Sequence, residues 1–113
     1  NHAHMAVVGN VVRLMDGAPI NSCKPAIDVL FETLARECGE DLISVLLTGM
    51  GSDGAEGSRH VKTCRGYTIA QDKETCIVWG MPKVAIDLGV IDAVLPVGKI
   101  GAELVKLVAP APR

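Results

Sequence analysis

Apolar positions change from a helical to a strand-like spacing between residues 25 and 48. In the first part they recur every three or four positions, which is the spacing of one helix face, at Ile27, Leu30, Phe31, Leu34, Ala35 and Cys38. Pro25 suits the first turn of this helix, and Gly39 suits its end. Residues 42–48 (LISVLLT) form an almost continuous apolar run instead. That run predicts a strand buried on both faces, as in a parallel sheet.

The remaining chain continues this alternation. A glycine-rich turn at 49–54 precedes a helix that runs to about Cys64 and ends at Gly66, and residues 67–70 predict the next strand. A strand–helix–strand unit of this length predicts parallel pairing. The positions of apolar residues, proline and glycine predict the other elements. At the N-terminus we expect a β-hairpin at 5–15 that turns at Gly9–Asn10, followed by a loop at 16–24. Towards the C-terminus we expect a helix between Pro82 and Gly89, an extended segment or strand at 90–95 and a last helix around 100–108. The predicted fold class is α/β.

Composition narrows the class of protein. With 113 residues, 49% hydrophobic and 21% charged, the chain suits one globular domain. Aromatic residues are only 3% of the chain, so aliphatic side chains and alanine must fill the core. The net charge of −2 and the lack of a basic stripe argue against a nucleic-acid partner. No apolar run reaches 18 residues, so we expect no membrane insertion.

Cysteine and histidine positions argue against a metal site. The four cysteines form no C-x-x-C pair, the spacing typical of zinc ligands, and we expect reduced thiols in a cytoplasmic protein. His2 and His4 alternate, but two ligands without a third make a poor site, and His60 is expected on a helix surface. We therefore expect neither a metal nor a cofactor. Because the chain opens with Asn1 rather than Met, we expect it to be a piece of a longer protein.

The turn at Gly49–Gly54 matches G-x-G-x-x-G between a predicted strand and a predicted helix, with Asp72 after the next strand. This context suits a dinucleotide site, but the carboxylate of Asp53 would compete with a pyrophosphate for the helix amides. Capping of the following helix by Ser52 or Asp53 is the ordinary alternative. A third possibility is catalytic, because open α/β sheets build their sites at the carboxyl ends of strands. A carboxylate reachable there from solvent can orient the imidazole of a serine-hydrolase triad.

Four segments together resemble the chemotaxis protein-glutamate methylesterases (CheB). Residues 47–55 (LTGMGSDGA) are similar to that family's T-G-M-G-x-D-G-A signature, and residues 25–31 (PAIDVLF) to its R-P-S-V-D-V-L-F helix start. Residues 70–82 (AQDKETCIVWGMP) resemble A-Q-x-x-x-S-C-V-V-F-G-M-P, and residues 1–5 (NHAHM) resemble the end of A-P-G-x-x-H-M. Their order and spacing match over nearly the whole chain.

The resemblance implies a doubly wound α/β domain with a mostly parallel sheet, of which residues 1–113 are the C-terminal part. It implies hydrolysis of γ-glutamyl methyl esters, and deamidation of glutamines, on methyl-accepting chemotaxis receptors in two-component signal transduction. Asp53 corresponds to the triad aspartate. Met50 lies beside the active site in that family, and its backbone N–H is an oxyanion contact there. A phosphorylatable receiver domain usually precedes the family's esterase domain.

The chain departs from the family in what it lacks. The family's nucleophile lies in a G-x-S-T-G-G segment and its triad histidine precedes the region matched here; neither is among these residues. Ser52 and His60 do not replace them, because two helical turns separate His60 from Asp53 by roughly 10 Å. We therefore expect this piece to be inactive alone and to self-associate through an uncovered sheet edge. A non-catalytic, partner-binding fragment or relative remains the alternative function.

Overall fold

A parallel sheet with helices forms the body of the molecule, next to a two-stranded hairpin. The computed structural model describes residues 4–8, 11–15 and 26–108. The strands are β1 His4–Val8, β2 Val11–Met15, β3 Ile43–Leu46, β4 Tyr67–Gln71 and β5 Ala93–Leu95. The helices are α1 Ile27–Cys38, α2 Ala55–Thr63, α3 Met81–Asp87 and α4 Val97–Val108, and a 3-10 turn, Gly39–Asp41, follows α1.

The predicted α/β class and the parallel pairing are confirmed. In the described part of the chain, β3, β4 and β5 form one sheet in that order, with both pairings parallel. Val45 lies opposite Ile69, and Ile69 lies opposite Ala93. Four of the five residues of β4 are buried, as expected of a central strand covered on both faces. β1 and β2 pair antiparallel, which confirms the hairpin.

Helix α1 begins and ends close to its predicted bounds. Ala26 is its N-cap, in extended backbone conformation and with no capping bond from its own side chain. Gly39 ends the helix with φ 55°, a left-handed value that glycine adopts without steric cost. The predicted loop at 16–24, the turn at Gly9–Asn10 and Pro25 lie outside the described residues.

The core between the sheet and the helices is built from small and aliphatic side chains, as the low aromatic content predicts. Its buried cluster consists of Leu46, Ala55, Ala70, Ala85 and Val90. Phe31 of α1 packs against this cluster while remaining partly exposed. Helices α1 and α2 approach closely at Gly57, where an added Cβ would lie 2.7 Å from Phe31 Cβ. Glycine is therefore needed here for space.

The end of α2 differs from the prediction that Gly66 closes it. The helix ends at Thr63, and Arg65, not Gly66, takes the left-handed conformation with φ 71°. A Cβ on Gly66 would lie 2.9 Å from the carbonyl oxygen of Leu42. Gly66 is thus required for the close approach of the chain to the start of β3, and the positive φ falls on its neighbour.

Candidate functional site

The glycine turn Gly49–Gly54 joins the carboxyl end of β3 to the start of α2. Gly51 and Gly54 have φ values of 92° and 94°, which side chains with a Cβ rarely adopt. A Cβ on Gly54 would also collide with the side chain of Leu46. These constraints fix a sharp return from the sheet into the helix, and they bring Met50 and Asp53 to the edge where open α/β sheets carry their sites.

Asp53 binds the amino-terminal end of a helix 26 residues earlier in the chain. Its Oδ2 accepts a hydrogen bond from Ile27 N–H at 2.6 Å, and its Oδ1 accepts one from Asp28 N–H at 3.0 Å. These two donors belong to the first turn of α1, where backbone amides lack partners within the helix. Asp53 therefore caps α1, and its carboxylate is held at two points.

Two expectations about Asp53 need correction. The residue is only 3% exposed, so the prediction of a carboxylate reachable from solvent is wrong: the carboxylate faces the amides of α1 in the interior. Capping of the following helix is wrong as well, since Gly54 is the N-cap of α2 and the Asp53 carboxylate binds amides of α1 instead. A buried, hydrogen-bonded aspartate is nevertheless the form that this residue takes in a serine-hydrolase triad.

Asp28, in the first turn of α1, accepts hydrogen bonds from the amino-terminal end of α2, just as Asp53 accepts them from α1. Asp28 is 8% exposed, and its Oδ1 accepts hydrogen bonds from Gly54 N–H at 2.9 Å and Gly57 N–H at 2.7 Å. Sequence reasoning missed Asp28. The available signal was its position, because Asp28 shares a helix face with Phe31 and Ala35, and a carboxylate on an apolar stripe requires buried partners.

The hydrogen bonds of Asp28 also argue against a dinucleotide site at this turn. A pyrophosphate on α2 would need the amides of the first turn, and those of Gly54 and Gly57 already donate to Asp28. Asp72, the acid expected to bind a ribose, accepts from Thr75 N–H at 3.0 Å and from its hydroxyl at 2.6 Å. The carboxylates of Asp53 and Asp72 thus accept hydrogen bonds from the protein itself.

Met50 combines a fixed backbone with an N–H that has no acceptor in the protein among the described residues. Its neighbour Gly49 donates to Val78 O at 2.9 Å, and Gly49 O accepts from Gly80 N–H and Met81 N–H at 3.0 and 2.9 Å. The Met50 residue is 80% exposed. An unpaired amide held in place at a sheet edge has the properties required of an oxyanion donor.

Gln71 connects this turn to the loop that follows β4. Gln71 is 2% exposed. Its Oε1 accepts from Thr48 N–H at 2.7 Å, and its Nε2 donates to Thr75 O at 2.8 Å. Thr48 Oγ1 in turn donates to Val78 O at 3.1 Å and accepts from Val78 N–H at 2.8 Å. The segments after β3 and β4 are therefore held as one unit.

An apolar surface lies on this unit beside the turn. Ile77 is 91% exposed, and Leu47 and Val78 are also exposed. The ring of Trp79 lies near two lysines, with Lys73 Nζ 5.7 Å and Lys83 Nζ 5.9 Å from its centroid, within the range of cation–π attraction. Exposed apolar groups clustered next to a candidate site are typical of a surface that contacts another macromolecule.

Other reactive side chains in the described part do not form a competing site. Burial raises the pKa of the Cys76 thiol, Thr48 acts in the opposite direction by hydrogen bonding, and the charge of Asp72 raises it further, so Cys76 is a weak nucleophile. Within the part of the chain that the structure describes, the Asp53 carboxylate accepts from the two α1 amides and not from His60. No group of three or more His, Cys, Asp or Glu side chains between residues 26 and 108 is arranged to hold a metal ion.

A family model described as CheB methylesterase matches residues 1–104. The chain belongs to the CheB methylesterase family. A Pseudomonas aeruginosa relative named protein-glutamate methylesterase/protein-glutamine glutaminase 2 is 50% identical over 99 residues, covering 88% of this chain and 28% of that protein. A Hydrogenovibrio crunogenus protein-glutamate methylesterase/protein-glutamine glutaminase is 46% identical over 100 residues, covering 88% of this chain and 27% of that protein.

A solved structure agrees with this membership of the CheB family. The Thermotoga maritima CheB methylesterase catalytic domain superposes with a TM-score of 0.90 at 40% identity, covering 95% of this chain and 59% of the solved one. The fold is thus that of a CheB catalytic domain, over part of its length. The chain spans little more than a quarter of the two curated relatives described here. None of the helices among the described residues has a long enough apolar stretch to cross a bilayer.

Proposed function

We propose that residues 1–113 are the part of a protein-glutamate methylesterase and glutamine deamidase domain that contributes the aspartate of a Ser-His-Asp triad. The observation that carries this proposal is the state of Asp53: buried, held by two backbone amides, and set at the carboxyl end of β3. Those amides occupy one acceptor direction on each carboxylate oxygen. An ionised carboxylate accepts about four hydrogen bonds, which leaves capacity for an imidazole N–H.

The proposed reaction is acyl transfer in two steps. A serine hydroxyl attacks the ester carbonyl of a glutamyl methyl ester while a histidine removes its proton, and methanol leaves as the acyl-enzyme forms. Water then attacks the acyl-enzyme and releases the free glutamate side chain. For a glutamine side chain the leaving group is ammonia. In this scheme the serine and histidine come from a part of the protein outside these 113 residues.

Asp53 and Met50 have distinct roles in this scheme. Asp53 accepts a hydrogen bond from the histidine, fixes the ring orientation and stabilises the imidazolium that forms during attack. The N–H of Met50 donates to the oxygen of the tetrahedral intermediate, and such a donor typically lowers the barrier by about 3–4 kcal/mol. Neither step requires a metal or an organic cofactor.

Chemotaxis receptors are the proposed substrates, in the cytoplasm. The exposed side chains of Ile77, Val78 and Met50 give such a substrate a surface to contact next to the turn. The names of the relatives, which join methylesterase and glutaminase activities, support the same pair of reactions. We include in the proposal a phosphorylatable receiver domain in the longer protein, which would place the enzyme in two-component signalling.

A non-catalytic partner-binding role is the second candidate. The observation that favours it is the exposed apolar surface beside the turn, which includes Ile77, Leu47 and Val78. Release of methanol from membranes carrying methylated receptor, and of ammonia from receptor carrying glutamine, separates the two functions. We expect both products from the longer protein that contains this chain and neither from the 113 residues alone. A longer protein that binds receptor and releases neither product would support the binding role.

A further inference from the structure

Asp28 and Asp53 form a closed exchange of hydrogen bonds between α1 and α2. Asp53 accepts from the amides of Ile27 and Asp28, and Asp28 accepts from the amides of Gly54 and Gly57. All four donors are backbone groups in or next to the first turn of a helix. Neither helix start can shift relative to the other without lengthening at least two of these bonds.

The hydrogen bond from Gly54 N–H to Asp28 holds the backbone directly next to Asp53. The Gly54 N–H belongs to the peptide unit that follows the Cα of Asp53, and it donates to Asp28 Oδ1 at 2.9 Å. Asp28 therefore fixes the backbone from which the Asp53 side chain projects, while α1 fixes the carboxylate itself. Bonds from amides to an ionised carboxylate are stronger than neutral ones, and here both carboxylates are buried.

We propose that Asp28 is a positioning residue for the hydrolytic reaction, acting through Asp53 and touching no substrate. This inference rests on the proposed function of Asp53 as the triad aspartate. A triad aspartate must hold an imidazole in one orientation, and a misplacement of about 1 Å can lower a rate by about 10²-fold. Asp28 supplies that precision from the neighbouring helix.

A purely structural role makes a different prediction. If Asp28 only stabilises the fold, its replacement lowers activity in proportion to the protein that unfolds, and the remaining folded enzyme keeps its kcat. If Asp28 positions Asp53, the folded variant has a lower kcat at unchanged KM. It also stabilises its imidazolium less well, so the acidic limb of the kcat/KM profile moves to lower pH, because the histidine then loses its proton at lower pH.

Three variants of the full-length protein test this, with methanol release as the assay. Asp28→Ala removes the acceptor, and we expect kcat to fall by about 10²-fold with KM unchanged. Asp28→Asn keeps an Oδ1 acceptor without the charge, and we expect a smaller loss of kcat with a smaller shift of the acidic limb. Ala35→Gly, at a buried position of α1, weakens the helix and leaves all four bonds intact. We expect Ala35→Gly to keep the wild-type kcat and pH profile at temperatures where it is folded.

Each outcome decides the matter. Wild-type kcat in Asp28→Ala, together with a large loss in Asp53→Asn, overturns the inference and leaves the proposed function standing. Equal losses in Asp28→Ala and Ala35→Gly at matched unfolded fractions overturn it too, by assigning Asp28 a structural role. Wild-type kcat in Asp53→Asn refutes the proposed function itself. If Asp28→Ala does not fold, the kcat/KM pH profile of Asp28→Asn tests the inference. A shift of its acidic limb to lower pH supports a positioning role for Asp28, and an unchanged limb contradicts it.

Discussion

Gly57 is the residue that lets Asp28 reach α2. The Gly57 N–H donates to Asp28 Oδ1 at 2.7 Å, and a Cβ at position 57 would lie 3.1 Å from that oxygen and 2.7 Å from Phe31 Cβ. Phe31 Cβ is bonded directly to the α1 backbone, and Asp28 Cα, which belongs to that backbone, would also lie 3.1 Å away. These atoms cannot move aside without shifting the helix. The close approach of α1 and α2 thus depends on the absence of a side chain here.

Gly57→Ala should therefore destabilise the protein. Overpacking costs about 1–3 kcal/mol, against a gain of up to about 1 kcal/mol from replacing a helical glycine, and the short contacts favour the upper part of that cost. Gly101→Ala in α4 is the matched control, because a Cβ there meets nothing within 4 Å. Urea unfolding should show a lower midpoint for Gly57→Ala and an equal or higher one for Gly101→Ala. Equal midpoints for Gly57→Ala and wild type would show that the helices separate at little cost.

Gln71→Leu should loosen the segments that flank the turn. It leaves Thr48 N–H and Thr75 O without their partner. Both bonds are only part-buried, so we expect the cost to lie at the lower end of the about 1–3 kcal/mol that a fully buried unpaired group costs. Amide hydrogen exchange at Thr48 should become faster, with a smaller change in Gln71→Glu, which keeps the acceptor for Thr48. Unchanged exchange at Thr48 in Gln71→Leu would contradict the role given to this amide.

Asp92 makes stability depend on pH. Burial alone would raise the pKa of Asp92, but hydrogen bonds from Lys62 and Thr68, with the charge of Lys62, outweigh it and hold the pKa below its ordinary value of 3.8. A carboxyl group whose pKa is lowered by folding stabilises the protein above its ordinary pKa, and this contribution is lost as pH falls through the lowered value.

Asp92→Asn should therefore reduce the loss of unfolding free energy on acidification below pH 3.8. Asp87→Asn is the control, since Asp87 forms an exposed ion pair with Lys83, and such pairs contribute little. Denaturant titrations at several pH values between neutral and strongly acidic give the comparison. Parallel stability–pH curves for wild type and Asp92→Asn would refute the assignment to this residue.

The 113-residue chain alone should self-associate. Within the described residues, β3 pairs on one side only, with β4, and strand edges with unpaired backbone groups recruit other chains. Leu47, which follows β3, is exposed. We expect light scattering to detect a dimer or larger assembly that Leu47→Lys weakens and Val105→Lys, on exposed α4, does not. A stable monomer at tens of micromolar with a cooperative melt would contradict this prediction.

Most helices and strands could be predicted from local patterns in the sequence. The apolar spacing of α1, the continuous run of β3 and the glycines of the turn depend on neighbours within a few residues, and each gave the correct element. The partners of Asp53 depend on a contact with a helix 26 positions away, and a local motif contains no information about it. That is why the turn suggested capping of α2 and the structure has capping of α1.

The same distinction explains Asp28 and Arg65. An aspartate in the first turn of a helix is common, because the helix dipole stabilises a negative charge there. Only the position of Asp28 on the apolar stripe indicated a buried partner. At the end of α2, glycine was expected to take the positive φ, yet Arg65 does so because Gly66 is needed where the chain passes Leu42. Packing between distant segments decided both positions.

The central claim is that Asp53 orients the histidine of a hydrolytic triad, and the most direct test is methanol release by the longer protein with Asp53→Asn. Asparagine keeps an acceptor for one of the two α1 amides and turns an NH2 group towards the other, so circular dichroism first checks that the variant is folded. We predict a fall in kcat of about four orders of magnitude, because an asparagine favours the wrong imidazole tautomer. A folded Asp53→Asn protein that releases methanol at the wild-type rate would contradict the claim.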